Sequence, residues 1–215
     1  MKKPAAAPEA AKRDGRRENA QATRDALRAA GRRQFGQLGY DASSVTSLCA
    51  EAGVTAGALY HHFGDKKGLF AAVAEELDAM LAERAGAASG AVVVAGGNLW
   101  QAFLAAVDVL LVAGTDPAGR RIGLADAPAV LGADAWLAIR ERHGLGAMMA
   151  AVAGLQQAGV FAPGDPARIA RIVLGMLYGA IEGLSDSPDA LAETRRLSHA
   201  MLATLRAPAP GGAHA

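Results

Sequence analysis

The 215-residue sequence predicts an all-α fold, with a three-helix module at the N-terminus and a larger helical domain behind it. Three observations carry this. Aromatic residues make up only 5% of a chain dominated by alanine, leucine and glycine, and no run shows sustained β-branched alternation. Apolar residues instead recur at three- and four-residue spacing between capping residues and helix-ending Gly or Pro. Charge is divided as well: residues 1–70 carry twelve Lys and Arg against seven Asp and Glu, the remainder ten against fourteen, so the net charge of +1 hides a basic front and an acidic back. That split fits a polyanion partner for the first module and a different partner for the second.

Residues 1–15, rich in Ala, Pro, Lys and Arg, read as a disordered basic tail. From Arg17 to Leu38 the spacing of Ala26, Leu27, Ala30, Phe35 and Leu38 gives one apolar face, and Tyr40 packs beneath the two short helices that come next in the chain. Ser44 caps a short helix to Ala52 with Val45, Leu48, Cys49 and Ala52 on one side, and Gly53 ends it in a left-handed turn. Thr55 caps a second short helix, from Ala56 to about Phe63, in which Leu59 and Phe63 face inward. Ala56, Gly57, Tyr60 and His61 are left outside. Two short helices around a glycine turn form a helix-turn-helix. Small residues at the second helix's start suit close approach of that helix to base edges in a major groove.

With Asp65 as cap, Lys66 and Lys67 fall in the first turn of the next helix, against its dipole, and a phosphate there would relieve the conflict. That helix is expected to reach about Ala88, with Leu69, Phe70, Val73, Leu77 and Leu81 inward, and Ser89 to Gly97 to be a flexible connection. Asn98 caps a helix to Gly114 carrying Trp100, Phe103, Val107, Leu110 and Leu111. A short helix begins at Thr115, Asp116 and Pro117 and is interrupted by Pro128 and Gly132. Ala133 to Gln157 reads as one helix with a kink at Gly144 and Gly146. Asp165 and Pro166 start a helix to about Leu184, and Ser187 and Pro188 the last one, through Leu205; residues 207–215 read as a disordered tail.

The run SSVTSLCAEAGV followed by TAGALYHHFGDKKGLF, preceded by an amphipathic helix ending QFGQLGYDASSV, resembles the TetR family of bacterial transcriptional regulators, densely over residues 17–75. The resemblance implies a homodimeric repressor with residues 16–70 as the DNA-binding domain and residues 71–206 as the ligand-binding and dimerisation domain. It implies a DNA-binding set that includes Thr55, in which Thr46 and Tyr60 lie toward the groove and backbone, Ala56 and Gly57 approach the base edges, and His61, His62 and Lys66 lie near phosphates of a double-stranded operator. The last two long helices, about 166–184 and 188–205, are then the dimer interface. The helix after the reading module becomes the mechanical link to a small-molecule effector that releases the DNA.

For that effector, Trp100, Phe103, Val107, Trp136, Met148, Met149, Met176 and Tyr178 are candidate cavity walls, with Asp108, Asp126, Arg140, His143 or Glu182 as polar partners; each apolar one reads first as plain core, and each polar one equally as an exposed ion-pair partner. The composition argues for a neutral or anionic, mostly apolar molecule. No cofactor is implied. His61 and His62 lie on different sides of a helix, and His143 and His199 have no ligand partner at metal spacing. No nucleophile elbow, phosphate-cradling loop or paired-histidine motif points to catalysis. One cysteine, Cys49, excludes an internal disulfide, and the most apolar run, Leu99 to Gly114, is too short for a membrane span and contains Asp108, so a cytoplasmic protein is expected. The alternative is a helical small-molecule-binding protein or enzyme without specific DNA binding.

Overall fold

A computed structural model describes the backbone of residues 7–184, 187 and 189–208. Among them every regular element is a helix, and the chain divides into two compact units, Met1–Ala74 and Glu75–Ala215.

The first unit holds α1 (Ala7–Leu38), α2 (Val45–Ala52), α3 (Ala56–Phe63) and the first turns of α4 (Lys66–Val94). Helix α1 starts ten residues before Arg17, so residues 7–15 are not the expected tail; their Ala, Glu, Lys and Arg are good helix formers and extend a helix already nucleated further on. Residues 1–6 lie outside the described residues. Leu27, Ala30, Phe35, Leu48, Leu59, Leu69 and Phe70 are fully buried and form the core, whereas Leu38, expected on the inner face, is 56% exposed at the helix end. Phe70 stands edge-on to Phe35 and to Tyr40 at 5.1 and 5.2 Å, so the ring contacts of Tyr40 are with α1 and α4.

The second unit takes the rest of α4 and then α5 (Leu99–Ala113), α6 (Pro117–Arg120), a π-helical turn over Arg121–Asp126, α7 (Ala127–Leu131), α8 (Ala133–Arg142), α9 (Gly144–Gln157), α10 (Pro166–Glu182) and α11 (Ala190–Ala203). The expected flexible stretch after Ala88 is instead helix up to Val94. The glycines at 86 and 90 only weaken a helix interior, and the chain turns where Gly96 takes φ 85°. Asn98 and Gln101 then cap α5 reciprocally. Pro128 does not break the chain: it sits in the first turn of α7, where no amide is needed, behind a π-turn closed by Ala127 N donating to Ile122 O.

The single helix expected over Ala133–Gln157 is two, separated at His143 with φ −127° and ψ −99°. Asp165 caps α10 through Ala167 N, with Pro166 at the first position. Helix α11 begins at Ala190, two residues past Pro188, which lies outside the described residues. Phe103, Val107 and Leu111 of α5, Met148, Val152 and Leu155 of α9, and Val173, Leu174, Leu177 and Ile181 of α10 make the core, closed by Phe161 and Leu202. Ala207, expected in the tail, is held instead, its N donating to Val160 O at 2.9 Å; residues 209–215 lie outside the described residues.

A candidate nucleic-acid interface and a candidate ligand cavity

In the first unit, the helix-turn-helix is built from local signals. Ser44 Oγ accepts from Ser47 N and Ser47 Oγ accepts from Ser44 N, a reciprocal cap on α2. Gly53 takes φ 66°, a conformation that excludes most side chains, and Val54 N returns to Cys49 O. Thr55 Oγ1 then accepts from Ala58 N to start α3. Buried Gln34 of α1 clamps the pair: its Oε1 accepts from Ser47 Oγ at 2.8 Å and its Nε2 donates to Glu51 at 2.7 Å, while Arg33 pairs with the same carboxylate. Arg33 first, then Gln34, holds the Glu51 carboxyl below its ordinary range.

Thr46, Thr55, Ala56, Gly57, Tyr60 and His61 are exposed. On α3 the last four occupy one side, opposite the fully buried Leu59, and a Cβ added at Gly57 meets nothing closer than Thr55 Oγ1 at 3.8 Å. Tyr60 is 53% exposed, a large aromatic presented to solvent.

Two of the eight candidate residues are placed otherwise than expected. Lys66 Nζ donates to Tyr40 O at 2.9 Å and Ser43 O at 3.0 Å and lies 4.0 Å above the Tyr40 ring. The conflict with the α4 dipole is thus relieved inside the module by two carbonyls, not by an external phosphate. His62 leans inward against His61 and Phe63, and its Nδ1 is buried without a hydrogen-bond partner. Burial, then His61 and Arg24, lowers its pKa and favours a neutral ring, a poor phosphate ligand.

The second unit contains a cavity of about 340 Å³ between α4, α5, α9 and α10. Its walls are mostly carbon, from Leu81, Phe103, Leu110, Met148, Leu155 and Leu174, with alanines and glycines between them; its polar side chains are Asp78, Ser89 and Tyr178. Of the thirteen candidates, Phe103, Met148 and Tyr178 line it and ten do not, Met149 among them, which packs against the core. Val107 is fully buried core, Met176 packs against that core, and Trp100 stacks on Phe103 at 6.0 Å beneath the Arg206 guanidinium. Trp136 sits on α8, which contributes no residue to the lining. Arg140 acts one layer back: Nη2 donates to Tyr178 Oη at 2.8 Å and its guanidinium lies 4.6 Å from that ring's centre. His143 stands at the break before α9 with Nε2 3.1 Å from Glu75, whose carboxylate also takes Arg142 at 2.8 Å. Asp108 is committed to Arg195 and His199 of α11, and Asp126 and Glu182 do not line the cavity.

Asp78 was not anticipated. Its Oδ2 accepts from Gly144 N at 2.9 Å, and a Cβ at Gly144 would come within 2.9 Å of Oδ1, so a larger residue there has to push the carboxylate aside. Burial raises the Asp78 pKa, opposed by the Gly144 bond, Arg140 and His143. The signal was present in the spacing of Ala74, Asp78, Leu81, Ala82 and Ala85, which puts one carboxylate on a small apolar stripe of α4. Among the described residues, no group of three or more His, Cys, Asp or Glu is arranged to hold a metal ion, and no single helix is long and apolar enough to cross a membrane.

Comparison with known proteins matches residues 27–73 to the model of bacterial regulatory proteins of the tetR family, and residues 100–207 to a tetracyclin repressor-like C-terminal domain. The HTH-type transcriptional repressor AcnR of Corynebacterium glutamicum is 46% identical over 52 residues, 24% of this chain and 28% of that protein, so the likeness spans little more than a quarter of the curated relative. A TetR-family transcriptional regulator from Pectobacterium atrosepticum is 34% identical, with 89% of this chain and 98% of that one covered and a TM-score of 0.71. The fatty acid degradation regulator FadR from Bacillus halodurans shares the fold at 13% identity, over 90% of this chain and 97% of that one, with a TM-score of 0.70. With both of its units matched, the chain belongs to the tetR family of bacterial regulatory proteins, a family of DNA-binding transcriptional regulators and not of enzymes.

Proposed function

We propose that the protein is a cytoplasmic, homodimeric repressor that binds a palindromic operator through α2 and α3 and releases it when a small molecule fills the cavity of the second unit. The observation that supports this most is the exposed side of α3: Ala56 and Gly57 offer room for a base edge, and Tyr60 and His61 follow one turn on. Without hydrogen-bonding side chains at 56 and 57, base reading rests on Tyr60, Thr46, thymine-methyl contact and DNA shape. Thr55 flanks the same edge. Lys66, bonded to two carbonyls of its own module, is left out of the phosphate contacts, and the exposed His61 is the better placed of the two histidines for a phosphate.

Dimerisation is supported by α10 and α11. Ile172, Leu197 and Met201 are 63%, 48% and 57% exposed, and Gly175 and Gly179 open the outer side of α10 to close approach by another helix. Two such protomers place their reading helices about 34 Å apart on successive major grooves. A ligand preferring the non-operator form by ~100-fold weakens DNA binding by up to about 2.7 kcal/mol per coupled site.

The test is binding of the full chain to its own flanking intergenic DNA, across a salt series and against excess unrelated duplex. Saturable, competitor-resistant binding that Tyr60→Ala weakens at least tenfold, together with a dimer that Ile172→Glu dissociates, is the expected result. Tyr60→Ala with unchanged affinity would remove α3 from the groove.

A further inference from the structure

The cavity's polar groups are few enough to define what it selects. Asp78 and Tyr178 both line it, and no Lys, Arg or His does. Asp78 has Oδ2 engaged by Gly144 N, which leaves Oδ1 for a guest. Tyr178 Oη accepts from Arg140, which leaves the phenol proton to donate. Burial, and then the Asp78 charge, raise the pKa of the Tyr178 hydroxyl and keep its proton in place, against the Arg140 guanidinium. Everything else facing the space is hydrocarbon apart from Ser89 and the backbone.

We infer, resting on the ligand-responsive reading above, that the cavity takes an uncharged, mostly apolar molecule bearing a hydroxyl, held between Asp78 and Tyr178, and that Asp78 discriminates against carboxylates. The hydroxyl proton goes to Asp78 Oδ1 and the hydroxyl oxygen accepts from Tyr178 Oη–H. A hydroxyl suits either protonation state of Asp78, since it accepts from the acid and donates to the carboxylate. This matters because the charged groups around Asp78 act in opposition to its burial: Arg140 and His143 favour the ionised form and desolvation disfavours it. A carboxylate guest loses its hydration in a mostly apolar wall and meets like charge unless Asp78 is protonated, and the Arg140 guanidinium, one layer back and already bonded to Tyr178, offsets only part of this. An ammonium guest gains from Asp78 but sits near the Arg140 guanidinium, whose charge cancels much of that attraction. Of the neutral and anionic guests that composition allows, the site favours the neutral one.

The experiment is calorimetric titration of the full-length protein at pH 7.5 with 1-octanol, octanoate and octylammonium, three probes of one chain length. Octanol is expected to bind at least tenfold more tightly than either ion. Asp78→Asn, which keeps an acceptor for Gly144 N–H, should raise octanoate affinity and shrink the octanol-to-octanoate ratio below threefold; a purely structural role for Asp78 would leave that ratio alone. Tyr178→Phe should weaken octanol binding three- to tenfold and carries the test if Asp78→Asn does not fold. Octanoate or octylammonium binding as tightly as octanol, or a ratio unmoved by Asp78→Asn, overturns the inference while the cavity remains a ligand site. Failure of all three probes at millimolar concentration, with DNA binding intact, overturns the ligand-responsive reading as well.

Discussion

Replacing Lys66 with alanine separates a structural lysine from a DNA-contacting one. The ammonium makes two hydrogen bonds to carbonyls of the α1–α2 connection and covers the Tyr40 ring. For a partly exposed site, two charge-assisted bonds at the low end contribute about 3 kcal/mol together and the aromatic contact about 0.5 kcal/mol. Against this stand about 0.5 kcal/mol for a cation in the first turn of α4 and about 1 kcal/mol for ordering the side chain. The net loss is about 2 kcal/mol, or ~30-fold in the opening equilibrium. Hydrogen exchange followed by mass spectrometry is the assay, because it resolves the first unit, which has no tryptophan, from the second. Amides of α2, α3 and the start of α4 should exchange ~30-fold faster in Lys66→Ala, while the slope of log affinity against log salt stays as in the wild type. Unchanged exchange with a slope smaller by about 0.9 would refute this, since that is the signature of one lost phosphate contact.

Two more outcomes are expected in the same unit. A Cβ at Gly68 would sit inside the van der Waals shell of Phe63 O, so Gly68→Ala should force the α3–α4 turn apart and cost ~3 kcal/mol or more, read as a lowered urea midpoint with loss of DNA binding. The folded-state pKa of His62 is depressed, chiefly by burial, so the stability its neutral ring contributes is present above about pH 6.5 and lost as pH falls through the folded value. Urea midpoints between pH 8 and pH 5 should therefore decline less in His62→Gln than in the wild type.

What could be read from the chain was whatever a few neighbouring residues decide. Ser44, Thr55, Asn98 and Asp165 announce helix starts because the bond each makes closes within three residues, and Gly53 announces a turn because few other residues tolerate its φ. Lys66 was misjudged because its partners, Tyr40 O and Ser43 O, lie more than twenty residues back, beyond any local pattern. The cavity was only partly legible for a similar reason. Trp100, Val107 and Phe103 share a helix and a chemistry, and whether each meets a neighbour or a void depends on how α5, α9 and α10 diverge. Arg140 and His143 do not line the cavity and stand instead behind Tyr178 and beside Glu75, partners that no local pattern shows. The break at His143 emerges from Asp78, seated far upstream on α4, and periodicity within the segment registers it only as a pair of glycines.

The clamp that Gln34 makes across Ser47 and Glu51 has a consequence for how such a protein changes over evolutionary time. It fastens α1 to α2 through side chains that take no part in the outer side of α3, and the fully buried Leu59 anchors α3 from beneath. Ala56, Gly57, Tyr60 and His61 are therefore bystanders to the module's stability, and Gly57 even has vacant space where a side chain would go. On the proposed reading of α3, mutations there retarget the protein to a new promoter at almost no cost in folding. A duplicated copy is then free to drift through unfamiliar specificities without first unfolding, which suits a scaffold that recurs across many bacterial genera.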